Sequence, residues 1–488
     1  MADRSLLIGI AVSAAIGAPL VASALARMRV AGPHVRAIAS IALIIALAAS
    51  VCASLCLGTC ADCESGPAWV AVTSSGGNPL VRFDSLSAVL MPYVTILALA
   101  TAVAVPVVDI DTRTMSRSLL GTSLTLMLLA TAHPGALVAL WIATALVTWR
   151  SAALSPGGSG AARTYALYMA PALAMVSLGA WLLSSAPAGT AHTAGAWMVA
   201  CAVMVRKGIF PFHSWYPALF SGANLSTALS ATMPQVAAYT AIRLLVGAGQ
   251  ETHPQLELLV VAALLTCVYG AALAVVQHDV RGLVGTLAMS QSALVLVGLA
   301  GSSTELSGAL AVWMSSGIVI TGVALVARSL EARAGHLSIA IRQGRFADAP
   351  ALASCFLLFG LAGAGLPGTF SFVADDLIVS ASLDHRVGAG LMVIASTVLA
   401  AIALMRAWFN LFGGRPASGP HHPVLAREAA ALSVLLAITF GVGLFPGPFV
   451  GVAERVAASL APGDAIRHQG ANPPTIHTHP AKDRQHQP

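Results

Sequence analysis

A chain of 488 residues that is 57% hydrophobic and only 9% charged, with a mean hydropathy of +0.83, lies outside the range of soluble globular proteins, where about a quarter of residues are charged. Its formal net charge of +6 is not gathered into a basic stripe on a soluble face, which excludes a nucleic-acid role. The composition specifies an all-α, polytopic membrane protein whose surroundings are the lipid bilayer.

Apolar runs, most long enough for a hydrocarbon core of about 30 Å, fall near 6–26, 37–57, 86–107, 118–132, 134–149, 165–184, 193–220, 225–247, 256–276, 283–300, 306–328, 351–382, 388–411 and 429–448. About 14 transmembrane helices are therefore expected. Seventeen of the 25 Arg and Lys lie in or beside connections that follow odd-numbered segments, from Arg27, Arg29 and Arg36 to Arg406, Arg415 and Arg427. By the positive-inside rule, both termini lie outside and the polar loop 329–350 is cytoplasmic. This multi-pass arrangement suits a cell inner (plasma) membrane.

The first segment ends in Val21-Ala-Ser-Ala-Leu-Ala26, which has the small residues of a signal-peptide cleavage site. Its basic residues Arg27 and Arg29 follow the apolar run instead of preceding it, so an uncleaved first helix is expected. Cys52, Cys56, Cys60 and Cys63 cluster at the end of the second segment, but without the longer loop that separates zinc-binding pairs. The expectation is buried thiols, with a Cys60–Cys63 disulfide as an alternative; Cys201, Cys267 and Cys355 read as core residues. No metal or cofactor site is expected. Residues 1–461 form one transmembrane domain, and the Pro- and His-rich tail 462–488 reads as disordered.

The seventh segment contains Lys207, one of only two lysines in the chain; the other, Lys482, lies in the tail. A lysine at membrane depth costs about 2.5–3.5 kcal/mol on insertion scales, so it is retained where it faces a protein interior or a water path. Pro211 removes the N–H that would bond the carbonyl of residue 207. The twelfth segment has a matching interruption at Gly363-Ala-Gly-Leu-Pro-Gly-Thr369, containing Pro367 and followed by Asp375-Asp376. Pro234, next to Gln235, interrupts the eighth. Broken helices at corresponding places point to two inverted five-helix repeats, helices 4–8 and 9–13, around an ion site. The core of this arrangement spans about 118–411.

Four stretches carry a family resemblance. Arg206-Lys-Gly-Ile-Phe-Pro-Phe-His-Ser-Trp-Tyr-Pro217 resembles the KSAQFPFHTWLP motif of the antiporter-like membrane subunits of respiratory complex I, membrane-bound hydrogenases and Mrp-type cation/proton antiporters. Gln277-His-Asp-Val-Arg281 with Met289-Ser-Gln291 is similar to that family's QTDIKR and MSQ elements. Leu366-Pro-Gly-Thr-Phe-Ser-Phe-Val-Ala-Asp-Asp-Leu-Ile378 resembles its LPGTxxFVGEFLI segment, and Arg82-Phe-Asp-Ser-Leu86 its FRFDGLS. The resemblance implies a charged chain across the membrane midplane: a glutamate on helix 5, a lysine on helix 7, a lysine or histidine on helix 8 and a lysine or glutamate on helix 12. Altered pairing along such a chain shifts proton affinities and moves a proton.

This chain departs from that set. Ile142 follows Trp141 where the resemblance implies the helix 5 glutamate; the motif lysine aligns with Arg206 and its serine with Lys207; the helix 8 lysine becomes Gln235. An amide cannot carry a proton on its own side chain at neutral pH. Asp375 aligns with the helix 12 position. The expected ion path is therefore an altered relay through Lys207, His213, Gln235, Gln291 and Asp375 with water. Arg206 is expected to snorkel to the cytoplasmic surface, Asp376 to face a subunit contact or the helix interior, Asp279 and Arg281 to form a structural ion pair, and Asp84 to be a helix cap or an interface residue.

The resemblance implies a membrane subunit of a larger complex, with other membrane and peripheral subunits as partners, taking part in proton or Na+ translocation. It would not be catalytic alone; an NADH:quinone oxidoreductase-like or hydrogenase-like assembly is the implied setting. The chain has no redox motif of its own. Alternatives are the membrane subunit of an energy-coupled inorganic-carbon pump, a non-conducting structural subunit, and a membrane transferase using Asp375-Asp376 to hold a metal.

Overall fold

The structure, a computed structural model, describes residues 2–28, 34–58, 80–106, 111–187, 189–247, 252–415 and 423–460. Among them are eighteen α-helices and a single isolated bridge, Asp279 with Ser338, so the all-α reading holds. The first six helices are α1 (Ala2–Arg27), α2 (Val35–Gly58), α3 (Ser85–Ala104), α4 (Thr112–Leu129), α5 (Pro134–Ala153) and α6 (Ser159–Ser185). The seventh apolar segment is divided into α7 (Thr190–Lys207) and α8 (Trp215–Gly222), and the eighth into α9 (Leu225–Thr232) and α10 (Val236–Leu244). Next come α11 (His253–Val275), α12 (Val280–Val297) and α13 (Ser303–Ala334). The twelfth segment divides into α14 (Pro350–Gly363) and α15 (Phe370–His385), followed by α16 (Val387–Phe412), α17 (Ala426–Leu444) and α18 (Gly447–Leu460). Ten of these helices are individually long and apolar enough to cross a membrane. The chain is a polytopic, multi-pass membrane protein.

Backbone polar groups at helix ends must find partners when lipid surrounds the fold. Side chains supply many of them. Asp84 accepts from Ser87 N–H at 3.1 Å, Asp279 from Gly282 N–H at 2.7 Å and Ser302 from Glu305 N–H at 3.4 Å. At the end of α11, Arg406 of α16 donates to the carbonyls of Val275 and Gln277, the latter at 3.1 Å. A distant cation thus closes a helix terminus that its own sequence leaves open.

The central element is α13, which packs against α3, α12, α14, α15, α17 and α18, with 94% of its apolar window buried. One continuous core joins nearly all helices, and a smaller cluster ties α1, α2, α3 and α4 through Ala22, Val35, Ala39 and Leu119. Large apolar side chains on outer faces, such as Leu167, Trp181 and Leu391, are exposed in the isolated chain. On a membrane protein that surface is the lipid-facing one.

The α17 helix lies directly against the α14–α15 break. A Cβ on Gly443 would come within 2.3 Å of the Gly368 carbonyl oxygen and 2.4 Å of the Thr369 carbonyl carbon. Both are backbone atoms that cannot swing aside. Gly443→Ala is therefore expected to cost about 1–3 kcal/mol through overpacking, read as a lowered thermal midpoint of the purified protein; an unchanged midpoint would mean the break can shift freely.

Several expectations need correction. The helical stretch α18 follows the last apolar run and was not expected as a separate element, because its Glu454 and Arg455 interrupt the apolar pattern. Of the three cysteines read as core, Cys267 is buried, whereas Cys201 and Cys355 are half-buried, Cys355 packed against the core. Cys52 is exposed and Cys56 half-buried on α2. Cys60, Cys63 and the tail 462–488 lie outside the described residues.

Candidate functional site: a buried polar route

The seventh segment leaves its helix at Gly208, three residues before Pro211. Gly208 adopts φ +66, and Ile209 N–H returns to the Met204 carbonyl at 3.0 Å. A Cβ there would also meet Tyr216 Cδ2 at 2.8 Å, so both conformation and space require glycine. Lys207 is consequently the last residue of α7, with its side chain 2% exposed.

A second break delivers its partner. Pro234 cannot continue α9, and Gln235 takes φ 51, the one non-glycine residue with positive φ among the described residues. A residue that carries a Cβ pays steric strain in this region, of order 1–3 kcal/mol, and such strain gathers at functional sites. Here it turns the Gln235 side chain, 4% exposed, to accept a hydrogen bond from Lys207 Nζ. Ser292 Oγ of α12 donates to the same Oε1 at 3.4 Å. Tyr93 of α3 steadies the break by donating to the Met233 carbonyl at 3.3 Å and the Trp313 carbonyl at 3.1 Å.

The residue after Gln291 is Ser292, and adjacent residues on a helix point about 100° apart. While Ser292 meets Gln235, Gln291 lines a cavity with Ser315, Ser316, Ser371 and Asp375. That cavity offers about 20 Å³ to water, enough for about one molecule. Asp375 reaches it from α15, which starts after a break containing Gly365 at φ 76, Pro367 and Gly368 at φ 86. A Cβ on Gly365 would lie 3.5 Å from Asp375 Oδ2, so the carboxylate sits beside the broken backbone. Helix α12 thus has Lys207 and Gln235 on one side and Asp375 on the other.

Arg206 is the main departure from expectation. It does not snorkel: it is 8% exposed, with one guanidinium nitrogen donating to the Trp141 carbonyl at 2.7 Å and the other to Thr144 Oγ1 at 2.7 Å. Its carbon lies 4.6 Å from the centre of the Trp141 ring. A carbonyl, a hydroxyl and an aromatic face on α5 engage the cation beside the position where Ile142 replaces the expected glutamate. A second cavity of about 20 Å³ connects Arg206 with Thr144, Thr148, Ser230 and Arg117. It and a neighbouring cavity share Ser118, Thr125 and Ser230, and reach the residues flanking Gln235, Val236 and Pro234.

The remaining candidates have other surroundings. His213 joins an aromatic cluster, 5.1 Å from the Tyr269 ring and 5.8 Å from that of Phe210, with Tyr269 Oη 3.3 Å from its Nε2. Asp376 is exposed while Asp375 is half-buried, so the two carboxylates do not converge as a metal-binding pair. Asp279 and Arg281, expected to pair, take different partners: Asp279 caps α12, and Arg281 holds Glu331 with nitrogen-to-oxygen distances of 2.8 Å. Asp84 caps α3 as expected but also receives both ends of the Arg243 guanidinium, at 2.6 and 2.9 Å.

The sequence reading missed Ser292, Tyr93, Arg243 and the hydroxyls around Arg206. Ser292 was signalled by its place next to Gln291. Nothing in local sequence marks a hydroxyl or carbonyl that serves a residue tens of positions away.

The family model described as NADH:quinone oxidoreductase/Mrp antiporter, TM, matches residues 169–403. That span includes Lys207, Gln235, Gln291 and Asp375. These matches support the antiporter-like membrane subunit family for this chain. Among its family relatives, NADH-quinone oxidoreductase subunit M of Mycobacterium tuberculosis is 25% identical over 257 residues, covering 51% of this chain and 46% of that protein. NADH-quinone oxidoreductase subunit 13 of Thermus thermophilus is 28% identical over 331 residues, covering 62% and 70%. The chain spans about half the length of several of the curated relatives it matches. The fold is shared with a chain of respiratory complex I from Thermus thermophilus, at TM-score 0.79, 21% identity and coverage of 93% and 99%. It is also shared with a chain of the Mrp complex from a Dietzia species, at TM-score 0.82, 19% identity and coverage of 96% and 99%.

Proposed function

We propose that this antiporter-like subunit takes part in proton or Na+ translocation within a multi-subunit complex, through a route from Lys207 by way of Gln235, Ser292 and Gln291 to Asp375. The observation that carries the reading is the shared hydrogen-bond acceptor: Gln235 Oε1 receives both Lys207 and Ser292. Lys207 and Asp375 hold the exchangeable protons. Gln235 and Ser292 orient the ammonium and water, because the amide itself accepts no proton at neutral pH.

The names of the relatives and the shared fold support an assembly with other membrane and peripheral subunits, of the NADH:quinone oxidoreductase or antiporter kind. The matching breaks at α7–α8 and α14–α15 support the inverted-repeat reading of the core. Arg27, Arg113 and Arg150 meet at one end of the bundle, which supports the expected orientation with that end in the cytoplasm and both termini outside, in an inner membrane.

Ion flux into proteoliposomes containing the assembled complex tests the reading. Lys207→Ala and Asp375→Asn are each expected to lower flux at least tenfold while assembly is retained; unchanged flux in both would leave the subunit as a non-conducting scaffold.

A further inference from the structure

A large cleft lies away from the proposed route. It measures about 860 Å³ and is formed where the end of α1, the start of α4 and the end of α5 meet. Four guanidinium groups line it: Arg27, Arg113, Arg117 and Arg150. Arg27, Arg113 and Arg150 are exposed, and Arg117 is half-buried with its Nε enclosed and unbonded. Two of the four have hydroxyl supports: Arg27 donates to Ser116 Oγ at 3.0 Å, and Arg117 to Thr114 Oγ1 at 3.1 Å. The acidic group beside them among the described residues is Asp111, whose Oδ2 is occupied by Thr114 N–H and Oγ1, both at 3.2 Å. Among the described residues, four cations therefore face one engaged carboxylate.

The walls of the cleft are as informative as its charge. Leu146 of α5 and Leu154, its C-cap, line it and are 52% and 48% exposed, and Met28 is 61% exposed beside Arg27. Trp149, 39% exposed, lies next to Arg150. An outward-facing tryptophan next to basic residues at a helix end marks the headgroup level of a bilayer. Cations at that level with an apolar wall running into the membrane fit a ligand that is anionic at one end and hydrocarbon at the other.

We infer that this cleft binds an anionic phospholipid, its phosphate between Arg113, Arg117 and Arg150 and its acyl chains along Leu146 and Leu154. A soluble anion would use the arginines but not the exposed leucines. Guanidinium groups suit phosphate because they offer paired donors, and basic pockets between membrane helices are suited to such headgroups. Bound lipid would also neutralise the charge next to Arg117, the residue common to this cleft and the inner polar cavity.

The test titrates the purified full-length protein in detergent with cardiolipin, phosphatidylglycerol or phosphatidylcholine and counts bound lipids by native mass spectrometry, with inorganic phosphate as a competitor. Cardiolipin and phosphatidylglycerol are expected to bind more tightly than phosphatidylcholine. The double variant Arg113→Gln/Arg150→Gln is expected to weaken the anionic lipids about 30-fold, from about 1 kcal/mol for each charge removed, while Arg163→Gln leaves them unchanged. Equal binding of phosphatidylcholine, or undiminished anionic binding by the double variant, would overturn the inference. Displacement of lipid by millimolar phosphate would make this a free-anion site, and a tightly held protein partner filling the cleft would make it a subunit contact; either overturns it. Lys207→Ala should bind lipid normally, so this result stands apart from the flux measurement.

Discussion

The Arg243→Ala variant is expected to lose about 3–5 kcal/mol of stability, the range for removing one partner of a buried ion pair. Arg243 gives two nitrogens to Asp84, at 2.6 and 2.9 Å, and a third contact to Tyr239 Oη at 2.8 Å. Tyr239 Oη in turn donates to the Leu129 carbonyl at 2.8 Å, with the Thr131 carbonyl 3.1 Å away. These bonds fasten α10 to the start of α3 and to the turn between α4 and α5. Since Gln235 is the N-cap of α10, the cluster also holds the break that presents Gln235 to Lys207. Thermal unfolding in detergent measures the loss. Asp84→Asn combined with Arg243→Gln should be less damaging than the sum of the single variants, because the pair is removed together; additive losses would show that the two do not interact.

The same pair sets an acid limit. Burial raises the Asp84 carboxyl, but the Arg243 charge and hydrogen bonds, with those from Ser87, outweigh it and hold the group below the usual aspartate range. A carboxyl depressed in the folded state contributes stability in full above its ordinary value near 3.9, and loses it as pH falls through the lower folded value. The stability that this pair contributes at neutral pH should therefore be lost only below about pH 4.

Gln235→Leu is expected to have the second large effect. It leaves Lys207 Nζ buried without its amide partner and removes the acceptor of Ser292. An unsatisfied buried polar group costs about 1–3 kcal/mol, and more when charged. Flux should fall at least tenfold even though the replaced residue carries no proton. Gln235→Glu, which keeps the acceptor and adds a charge opposite to that of Lys207, should retain the fold. A normal flux with leucine would mean that protons pass Lys207 without using Gln235.

Much of this architecture is legible from the sequence because lipid forces each apolar segment to satisfy its own backbone. The seventh, eighth and twelfth segments carry Pro and Gly where helices end, and each is divided in the structure. What the sequence does not state is the direction in which a broken helix turns its side chains. The positive φ of Gln235 has no marker in a run that reads Met-Pro-Gln-Val, yet it creates the contact with Lys207. Arg206 was misread because a cation next to an apolar stretch suggests snorkelling, whereas its partners are a backbone carbonyl and a hydroxyl 65 and 62 positions away. Arg243 was passed over for the same reason: Asp84 is 159 positions distant, and the pair exists only once α3 and α10 are packed.

The central claim is that Lys207 and Asp375 lie on one route, joined across α12 by Ser292 and Gln291. Ion flux in proteoliposomes with Lys207→Ala, Asp375→Asn and the double variant tests it most directly. On a single route each substitution alone removes most of the flux, and the double variant is no slower than the worse single one. Losses that multiply in the double variant, or flux untouched by either substitution, would contradict it.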